Sequence, residues 1–365
     1  MPEPTIKIAI LGYGFSGSVF HASLIAATPG LEVAAIVEGR PEVATKARQR
    51  FPGAQVFSTV EEVFARADQY DAVVVALPND QHVPLGLRAV AAGVPVIVDK
   101  PLASSVGEAE RLVSAAAAAG VPALVFQNRR WDSEILTVRK LLELQDIGDV
   151  LWYESSYKFF RPEVEEGWRE KLPQGQAPGM LFDLGAHIVD QAVQLFGPVD
   201  SVYGEVGILR PGALVPDDFF LAIRHTNGVT GHLRGSVVIS AELPRFTVQG
   251  TRGSIQVADQ DPQEDQLIAG LMPGSAGFGV MGRPYAVCVD ASGTTTRIPA
   301  VEGAQHEFYR LLNPALRGEG PLPVDIEHSL YALRVLEAGW KSSRERTVVA
   351  LDAPAPADLG RSDGS

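Results

Sequence analysis

An apolar segment that runs directly into a glycine pattern constrains this fold more than any other feature of the sequence. Residues 6–11 predict a buried strand, a G-x-G-x-x-G pattern follows at once, and residues 18–27 predict a helix. In a strand–turn–helix unit, these glycines allow a tight turn, the approach of a diphosphate and close packing of helix on strand. The diphosphate then lies on free N–H groups at the start of the helix. The predicted contacts are Gly12, Gly14, Phe15 and Gly17.

A second predicted strand, residues 31–37, ends at the acidic residue Glu38. This position is about twenty residues beyond the glycine pattern, where a carboxylate that binds the ribose of the cofactor is expected. Glu38 suits the diol of NAD and repels the 2′-phosphate of NADP, whereas Arg40 can accommodate that phosphate. We therefore predict NAD or NADP as the cofactor, with a slight preference for NAD.

Strands alternate with helices through the first third of the chain. Further strands are predicted at 54–57, 72–77, 94–98 and 123–127. This order predicts an α/β fold with a doubly wound parallel sheet, a Rossmann domain over residues 1–127. Ligands of such sheets lie beyond the carboxyl ends of the strands. The residues in those places, predicted to meet the cofactor, are Leu77, Pro78, Asn79, His82, Asp99, Lys100 and Asn128.

Lys100 is the main catalytic candidate of the first domain. It follows a buried apolar strand and precedes Pro101, which fixes the backbone directly after it. A lysine that simply ends a strand in solvent is the alternative interpretation. The position of Lys100 alone favours neither the catalytic nor the solvent-exposed interpretation.

After Trp131 the predicted strands have few helices between them, which indicates an open, mainly antiparallel sheet in a second domain, residues 128–351. One helix, predicted at 181–196, carries Asp183 and His187 four residues apart on one face, and Asp190 can join them. A carboxylate one turn from an imidazole can orient the ring as a general base. The alternatives are a solvated polar face and a core histidine held by an aspartate.

Composition excludes several classes of function. The net charge of −13, without a basic stripe, argues against a nucleic-acid partner. The single cysteine and the spacing of the seven histidines predict no metal site. We expect a cytoplasmic protein without a membrane partner, because the sequence contains no long apolar run and no signal-peptide pattern. Residues 352–365, rich in Pro, Ala, Gly and Ser, are predicted to be a flexible tail.

The motifs of the two halves together resemble one enzyme family, the Gfo/Idh/MocA oxidoreductases. The resemblance covers nearly the whole chain, and the Arg129–Asp132 and Phe182–His187 contexts look closest to its NADP-dependent scyllo-inositol dehydrogenase branch. One departure is Asp99, which stands where the family more commonly has glutamate. The motifs are Gly12-x-Gly14-x-x-Gly17, Pro78-Asn79-x-x-His82, Asp99-Lys100-Pro101, Asp183-x-Gly185-x-His187-x-x-Asp190 and Gly250-x-x-Gly253.

The resemblance implies a dehydrogenase that transfers a hydride between a secondary alcohol of a cyclic polyol or sugar and a nicotinamide. It implies Lys100, Asp183 and His187 as catalytic residues, and a C-terminal sheet that supports a homodimer or homotetramer. Further candidates for contacts with substrate hydroxyls are Asn128, Arg130, Tyr157 and Trp168.

Three other functions stay open at this stage. The chain can be a nicotinamide-binding regulator without turnover, although the intact catalytic motif speaks against this. It can also be a glycosidase of the same fold that oxidises its sugar transiently and retains the cofactor. A reductase of imines or enones would have fewer polar groups around residues 129–132.

Overall fold

Two separate β-sheets organise the chain. The structure, a computed structural model, describes residues 4–164, 179–352, 354–357 and 359. One compact unit contains the described residues up to 128 together with Gln263–Phe278 and Ala304–Glu327. The other contains the described residues of 129–262, Gly279–Gly303 and those from His328 onward. The predicted domain boundary at residues 127 and 128 stays a prediction.

The strands of the first domain follow the predicted order along the chain, with small differences at their ends. The strands of the two sheets are β1 (Ile6–Leu11), β2 (Leu31–Val37), β3 (Gln55–Phe57), β4 (Ala72–Val75), β5 (Val96–Val98), β6 (Ala123–Val125), β7 (Val150–Lys158), β8 (Val199–Gly207), β9 (Asp218–His225), β10 (Thr230–Ser236), β11 (Phe246–Gly250), β12 (Ser254–Val257), β13 (Tyr285–Val289), β14 (Thr295–Pro299) and β15 (Val349–Ala350).

The helices begin with a π-helical segment, Ser16–His21, that continues directly into the first α-helix. The α-helices are α1 (Ala22–Ala26), α2 (Pro41–Arg50), α3 (Val60–Phe64), α4 (His82–Ala91), α5 (Val106–Ala119), α6 (Ser133–Leu144), α7 (Met180–Asp183), α8 (Gly185–Phe196), α9 (Gln263–Ile268), α10 (Glu307–Leu316) and α11 (Ile326–Glu345).

The first unit contains a six-stranded, entirely parallel sheet in the order β3-β2-β1-β4-β5-β6. All four residues of β4 and all three of β5 are buried, as expected for continuous apolar strands covered on both faces. This strand order is that of the doubly wound dinucleotide-binding fold. The predicted Rossmann sheet is therefore confirmed.

The second unit contains a nine-stranded sheet in the order β14-β13-β12-β11-β7-β10-β9-β8-β15. Its strand pairs are antiparallel except for β7 and β10, so the predicted open, mainly antiparallel sheet is confirmed. Phe219, Leu221 and Ile223 of β9 are buried on the face that packs on helices. Helix α11 approaches this face closely, since a Cβ on Gly204 would lie 2.3 Å from the carbonyl oxygen of Gly339.

Two sequence expectations concern residues that the structure does not describe. Trp168 lies outside the described residues, and so does most of the predicted tail. In the described part of the chain, no helix has both the length and the apolar character needed to cross a bilayer.

Candidate active site

The glycine turn after β1 has the shape that a bound diphosphate requires. Gly12 adopts φ +103°, and a Cβ there would lie 2.5 Å from the carbonyl oxygen of Ala76. A Cβ on Gly17 would lie 2.0 Å from the carbonyl oxygen of Gly12, so these two positions require glycine. Gly14 differs, because a Cβ there would have no neighbouring atom within 4 Å and the backbone is open to a ligand. The turn therefore fits a dinucleotide.

Phe15 follows Gly14, and it is 43% exposed, with its ring 5.8 Å from that of Phe20. The helix then begins as Ser18 donates from its backbone N–H to the carbonyl oxygen of Gly14 at 3.0 Å. The sequence around the turn thus leaves one aromatic ring and one open glycine at the surface where a cofactor is predicted.

Glu38 and Arg40 form a tight pair at the end of β2. Arg40 Nε donates to Glu38 Oε1 at 2.9 Å, its Nη2 donates to Oε2 at 2.7 Å, and its backbone N–H donates to Oε1 at 2.8 Å. These hydrogen bonds lower the pKa of Glu38 against the opposing effect of burial. The carboxylate therefore stays ionised, and it is oriented by the residue that was predicted to accommodate a 2′-phosphate.

The residues after β4 and β5 lie at one edge of the parallel sheet. Leu77 and Asn79 are half-buried and Pro78 is exposed, while Asp99 and Lys100 are both half-buried. Asp99 donates from its backbone N–H to the carbonyl oxygen of Val75 at 3.0 Å, which holds the end of β5 beside β4. The first unit therefore brings these predicted residues to the same edge as the glycine turn.

The ring of His82 lies between the segments that follow β4 and β5. Its ring is 1% exposed, with Nε2 lying 2.9 Å from the carbonyl oxygen of Leu77 and Nδ1 lying 2.8 Å from that of Pro101. Burial lowers the pKa of this imidazole. These contacts support a role in holding the turn that carries Lys100, and direct contact between His82 and the cofactor stays a prediction.

Asn128 belongs to a chain of buried amides in the first unit. Its Nδ2 donates to Gln305 Oε1 at 3.0 Å, and the backbone N–H of Gln305 donates to Gln263 Oε1 at 2.8 Å. Sequence reasoning missed both glutamines, because they lie more than a hundred residues away along the chain and carry no local signal.

In the second unit, Asp183 and His187 lie one helical turn apart, as predicted. The helix is interrupted between them: α7 ends at Asp183, and α8 begins at Gly185. Asp183 is half-buried and His187 is 4% exposed, in a helix whose neighbouring side chains are almost all buried. An imidazole and a carboxylate in this arrangement can share a proton-transfer task.

Asp190 has a different partner from the one that its spacing suggested. Arg130 donates from Nε to Asp190 Oδ2 at 2.8 Å and from Nη2 to Oδ1 at 2.7 Å, and both side chains are buried. The expectation that Asp190 joins His187 is therefore corrected to a bidentate ion pair with Arg130. The guanidinium of Arg130, which was predicted to contact substrate hydroxyls, thus donates to Asp190. Its contact with the substrate stays a prediction.

Tyr157 belongs to a buried cluster of charges. Its hydroxyl donates to Asp132 Oδ2 at 3.0 Å, and the guanidinium of Arg245 lies 3.8 Å from its ring centroid. Burial raises the pKa of Tyr157 far above its ordinary value, so the phenol stays protonated. Its predicted contact with substrate stays untested, and the geometry supports a structural role.

Arg245 is the centre of this cluster, and sequence reasoning missed it. It donates to Glu134 Oε1 at 2.9 Å, to Ser155 Oγ at 2.6 Å and to Gln191 Oε1 at 2.7 Å. Gln191 in turn donates to the carbonyl oxygen of Arg129 at 2.9 Å, which ties α8 to the segment before α6. Burial raises the pKa of Glu134 to about 7, although the charge of Arg245 opposes this effect. Contacts that span 54 to 111 residues leave no local pattern.

The three predicted catalytic residues are thus divided between the units, with Lys100 in the first and Asp183 and His187 in the second. That they act on one substrate stays a prediction. Among the described residues, no group of three or more His, Cys, Asp or Glu side chains has the arrangement of a metal site.

Both domains of the chain match known proteins. The Rossmann domain profile of one oxidoreductase family, described as NAD-binding, matches residues 6–127, and its C-terminal α/β domain profile matches residues 139–351. Scyllo-inositol 2-dehydrogenase (NADP(+)) IolW of Bacillus subtilis is 34% identical over 95% of this chain and 96% of its own length. D-apiose dehydrogenase of Paraburkholderia graminis is 26% identical over 98% of this chain and 94% of its own.

A solved structure is similar over nearly the whole chain. A putative oxidoreductase from Klebsiella pneumoniae superposes with a TM-score of 0.88 at 37% identity, covering 96% of each chain. The two domain profiles together match well over half of the residues, and full-length relatives exceed 30% identity. The chain therefore belongs to the Gfo/Idh/MocA family of oxidoreductases.

Proposed function

We propose that this oxidoreductase transfers a hydride between a secondary alcohol of a cyclic polyol or sugar and a nicotinamide cofactor. The observation that carries the proposal is that Lys100 follows β5 at the same edge of the parallel sheet as the open glycine turn after β1. A cation at this edge lies where a parallel sheet presents its ligand. The names of the relatives, an inositol dehydrogenase and an apiose dehydrogenase, support the substrate class.

The chain's own residues divide the work around the reacting alcohol. His187 takes the proton of the hydroxyl as a general base, and Asp183 orients the imidazole or a neighbouring hydroxyl of the substrate. Lys100 donates a hydrogen bond to the same oxygen and stabilises its developing negative charge, which is often the largest electrostatic contribution to such a rate. The bound nicotinamide supplies the acceptor or donor of the hydride. That Lys100 and His187 meet one oxygen is part of the proposal.

For the cofactor, we favour NAD over NADP. The ionised carboxylate of Glu38 suits a ribose diol and repels a 2′-phosphate. Arg40 can bind the 2′-phosphate of NADP only if its guanidinium moves away from Glu38, because it donates hydrogen bonds to both oxygens of that carboxylate. The name of the Bacillus subtilis relative, which specifies NADP(+), favours the opposite choice, and the screen below includes both cofactors.

We also propose that the outer face of the nine-stranded sheet supports a homodimer or homotetramer. Trp152, Tyr203 and Phe220 are half-buried and each adjoins a fully buried residue of its own strand, so they point to the opposite face. The Phe220 ring lies 6.1 Å from that of His232 on the neighbouring strand. Large aromatic side chains on an open sheet are suited to packing against a second copy.

One screen tests the function. Inositol isomers, aldoses and sugar acids are each offered with NAD and with NADP, and absorbance is followed at 340 nm. The proposal predicts reduced cofactor with at least one polyol or sugar. Tight cofactor binding without any absorbance change identifies a regulator instead, and substrate cleavage without net release of reduced cofactor identifies a glycosidase.

A further inference from the structure

A buried histidine lies behind the turn that carries Lys100. His21 ends the helical segment that follows the glycine turn, and its side chain is 0% exposed. Its ring centroid lies 4.3 Å from that of Phe126, which follows β6. Burial lowers the pKa of the imidazole to about 4, because the charged form cannot be solvated there. His21 is therefore neutral at neutral pH, with one N–H donor on its ring.

Tyr309 determines which ring nitrogen carries that proton. The Tyr309 hydroxyl oxygen lies 2.6 Å from His21 Nδ1, and burial raises the pKa of this phenol well above 10. The phenol therefore stays protonated and needs an acceptor. Since Nδ1 is the partner that the described residues offer to this hydroxyl, Nδ1 accepts and the proton of the ring lies on Nε2.

The acid that precedes Lys100 lies near the Nε2–H group of His21. Among the described residues, Nε2 has no hydrogen-bond acceptor, and Asp99 Oδ2 lies 3.9 Å away. The other oxygen of Asp99 accepts from the backbone N–H of Lys100 at 2.9 Å. The carboxylate thus stands between His21 and the backbone of Lys100. In buried surroundings an N–H group attracts a carboxylate over this distance more strongly than it does in water.

We propose that His21 is a positioning residue, which holds the Asp99 carboxylate through Nε2–H and thereby fixes the backbone from which the Lys100 side chain extends. His21 itself touches neither substrate nor cofactor in this role. The kinetic part of the proposal rests on the proposed function, whereas the contact between His21 and Asp99 does not depend on it.

The second unit contains a matched control. His225 is also buried, at 1% exposed, and burial also lowers its pKa to about 4. Its Nε2 lies 2.8 Å from the hydroxyl of Tyr153, and its Nδ1 lies 2.7 Å from the carbonyl oxygen of Gly197. Both of its ring nitrogens are hydrogen-bonded, and its proton lies on Nδ1. Loss of His225 therefore removes a buried histidine without touching the Lys100 turn.

The first test is spectroscopic and needs no turnover. Histidine-selective ¹⁵N labelling of the full chain, with signals assigned through His21→Gln and His225→Gln, reports the tautomer of each ring at pH 7. We expect the Nε2–H form for His21 and the Nδ1–H form for His225. Asp99→Asn should shift the His21 signals and leave those of His225 unchanged. An Nδ1–H tautomer for His21, or no response to Asp99→Asn, overturns the proposal.

The second test separates positioning from general stability. His21→Phe keeps the aromatic packing but removes the donor, and we expect it to lower kcat about tenfold with KM for the polyol changed less than about threefold. His21→Gln keeps an N–H group at the same reach, so it should recover kcat to within about threefold of the parent. His225→Phe should leave kcat unchanged even where it lowers the unfolding midpoint.

Two results contradict the kinetic role. In one, His21→Phe and His225→Phe have the same kcat, and in the other, His21→Gln is no better than His21→Phe. If the parent protein oxidises no polyol or sugar, the proposed function fails, and the NMR comparison still decides whether the Nε2–H group of His21 interacts with Asp99 as proposed.

Discussion

The turn at Lys100 and the helix α8 are supported in different ways. On α8, Asp190 forms a two-point ion pair with Arg130 at 2.7 and 2.8 Å, and Gln191 accepts from Arg245 at 2.7 Å. At the turn, one oxygen of the Asp99 carboxylate accepts a hydrogen bond of 2.9 Å from the backbone of Lys100, and the other lies 3.9 Å from His21 Nε2. One support is a network of short, buried hydrogen bonds, and the other combines a short hydrogen bond with a longer contact.

Because of this difference, we expect the two supports to affect different quantities, the free energy of unfolding and kcat. Breaking a buried network of charged groups leaves uncompensated charges and costs folding free energy. Loosening a single long contact costs little stability, but it displaces a group whose position determines the rate. We therefore expect substitutions of the residues that support α8, such as Arg130 and Arg245, to act mainly on unfolding. Substitutions of the residues that support the Lys100 turn, such as His21, should act mainly on kcat.

The largest effect on kcat should come from replacing the two proposed catalytic residues, Lys100 and His187. Lys100→Ala and His187→Ala should each lower kcat by about a thousandfold or more, because electrostatic stabilisation and general base catalysis each contribute on that scale. Turnover on the best substrate of the screen measures this, and circular dichroism checks the fold. Turnover within a few-fold of the parent in either variant removes that residue from the mechanism.

Arg245→Met should produce the largest loss of stability. It leaves Glu134 buried without its cation, which typically costs about 3–5 kcal/mol of unfolding free energy. In the double variant Arg245→Met/Glu134→Gln, at least about half of that loss should return, since no buried charge then lacks its partner. Urea denaturation measures both. Arg88→Met, which removes the partner of the exposed Glu61 carboxylate, is the control and should leave the unfolding free energy nearly unchanged. Equal losses for Arg245→Met and Arg88→Met contradict the comparison.

The pH dependence of unfolding should have contributions of opposite sign. Between pH 6.5 and about 4, the histidines of the unfolded chain become protonated, whereas the buried rings of His21 and His225 stay neutral in the folded protein. The free energy of unfolding therefore falls as pH falls, by up to roughly 3 kcal/mol for each ring. Glu134 acts in the opposite direction, because between pH 4.5 and about 7 the folded state holds its proton more tightly.

Denaturation series between pH 4 and 7.5 test these signs. In Glu134→Gln the decline of the unfolding free energy with falling pH should be steeper than in the parent, whereas in His225→Phe it should be shallower. The slopes are compared within each variant, so a uniform loss of stability does not affect the result. A shallower decline in Glu134→Gln contradicts the assignment.

The smallest predicted effect concerns the cofactor. Glu38→Ser removes the carboxylate that holds Arg40, so the ratio of kcat/KM for NADP over NAD should rise by about 10- to 100-fold. Arg40→Ala added to Glu38→Ser should cancel most of the gain. An unchanged ratio in Glu38→Ser means that other residues select the cofactor.

Local patterns predicted the order of elements because period, caps and glycine turns are short-range signals. The apolar runs of β1 and β4 and the turn at Gly12–Gly17 indicated the parallel sheet directly. The strand β15 is two residues long and pairs with β8, so it offers no alternation to detect.

The supports of the site could not be predicted in the same way. The spacing of Asp190 correctly placed it on α8, but its partner Arg130 lies 60 residues earlier. The contact between His21 and Tyr309 spans 288 residues. Such pairs depend on how distant elements pack, and a buried histidine in an apolar helix looks the same in sequence whether or not it faces a carboxylate.

The central claim is that Lys100 and His187 act on one oxygen atom. A crystal structure of the full chain with NAD and the best polyol of the screen tests it most directly. We expect Lys100 Nζ and a ring nitrogen of His187 to lie within about 3.2 Å of the same substrate hydroxyl. A complex in which the two side chains contact different groups of the substrate, or in which one contacts none, contradicts the account.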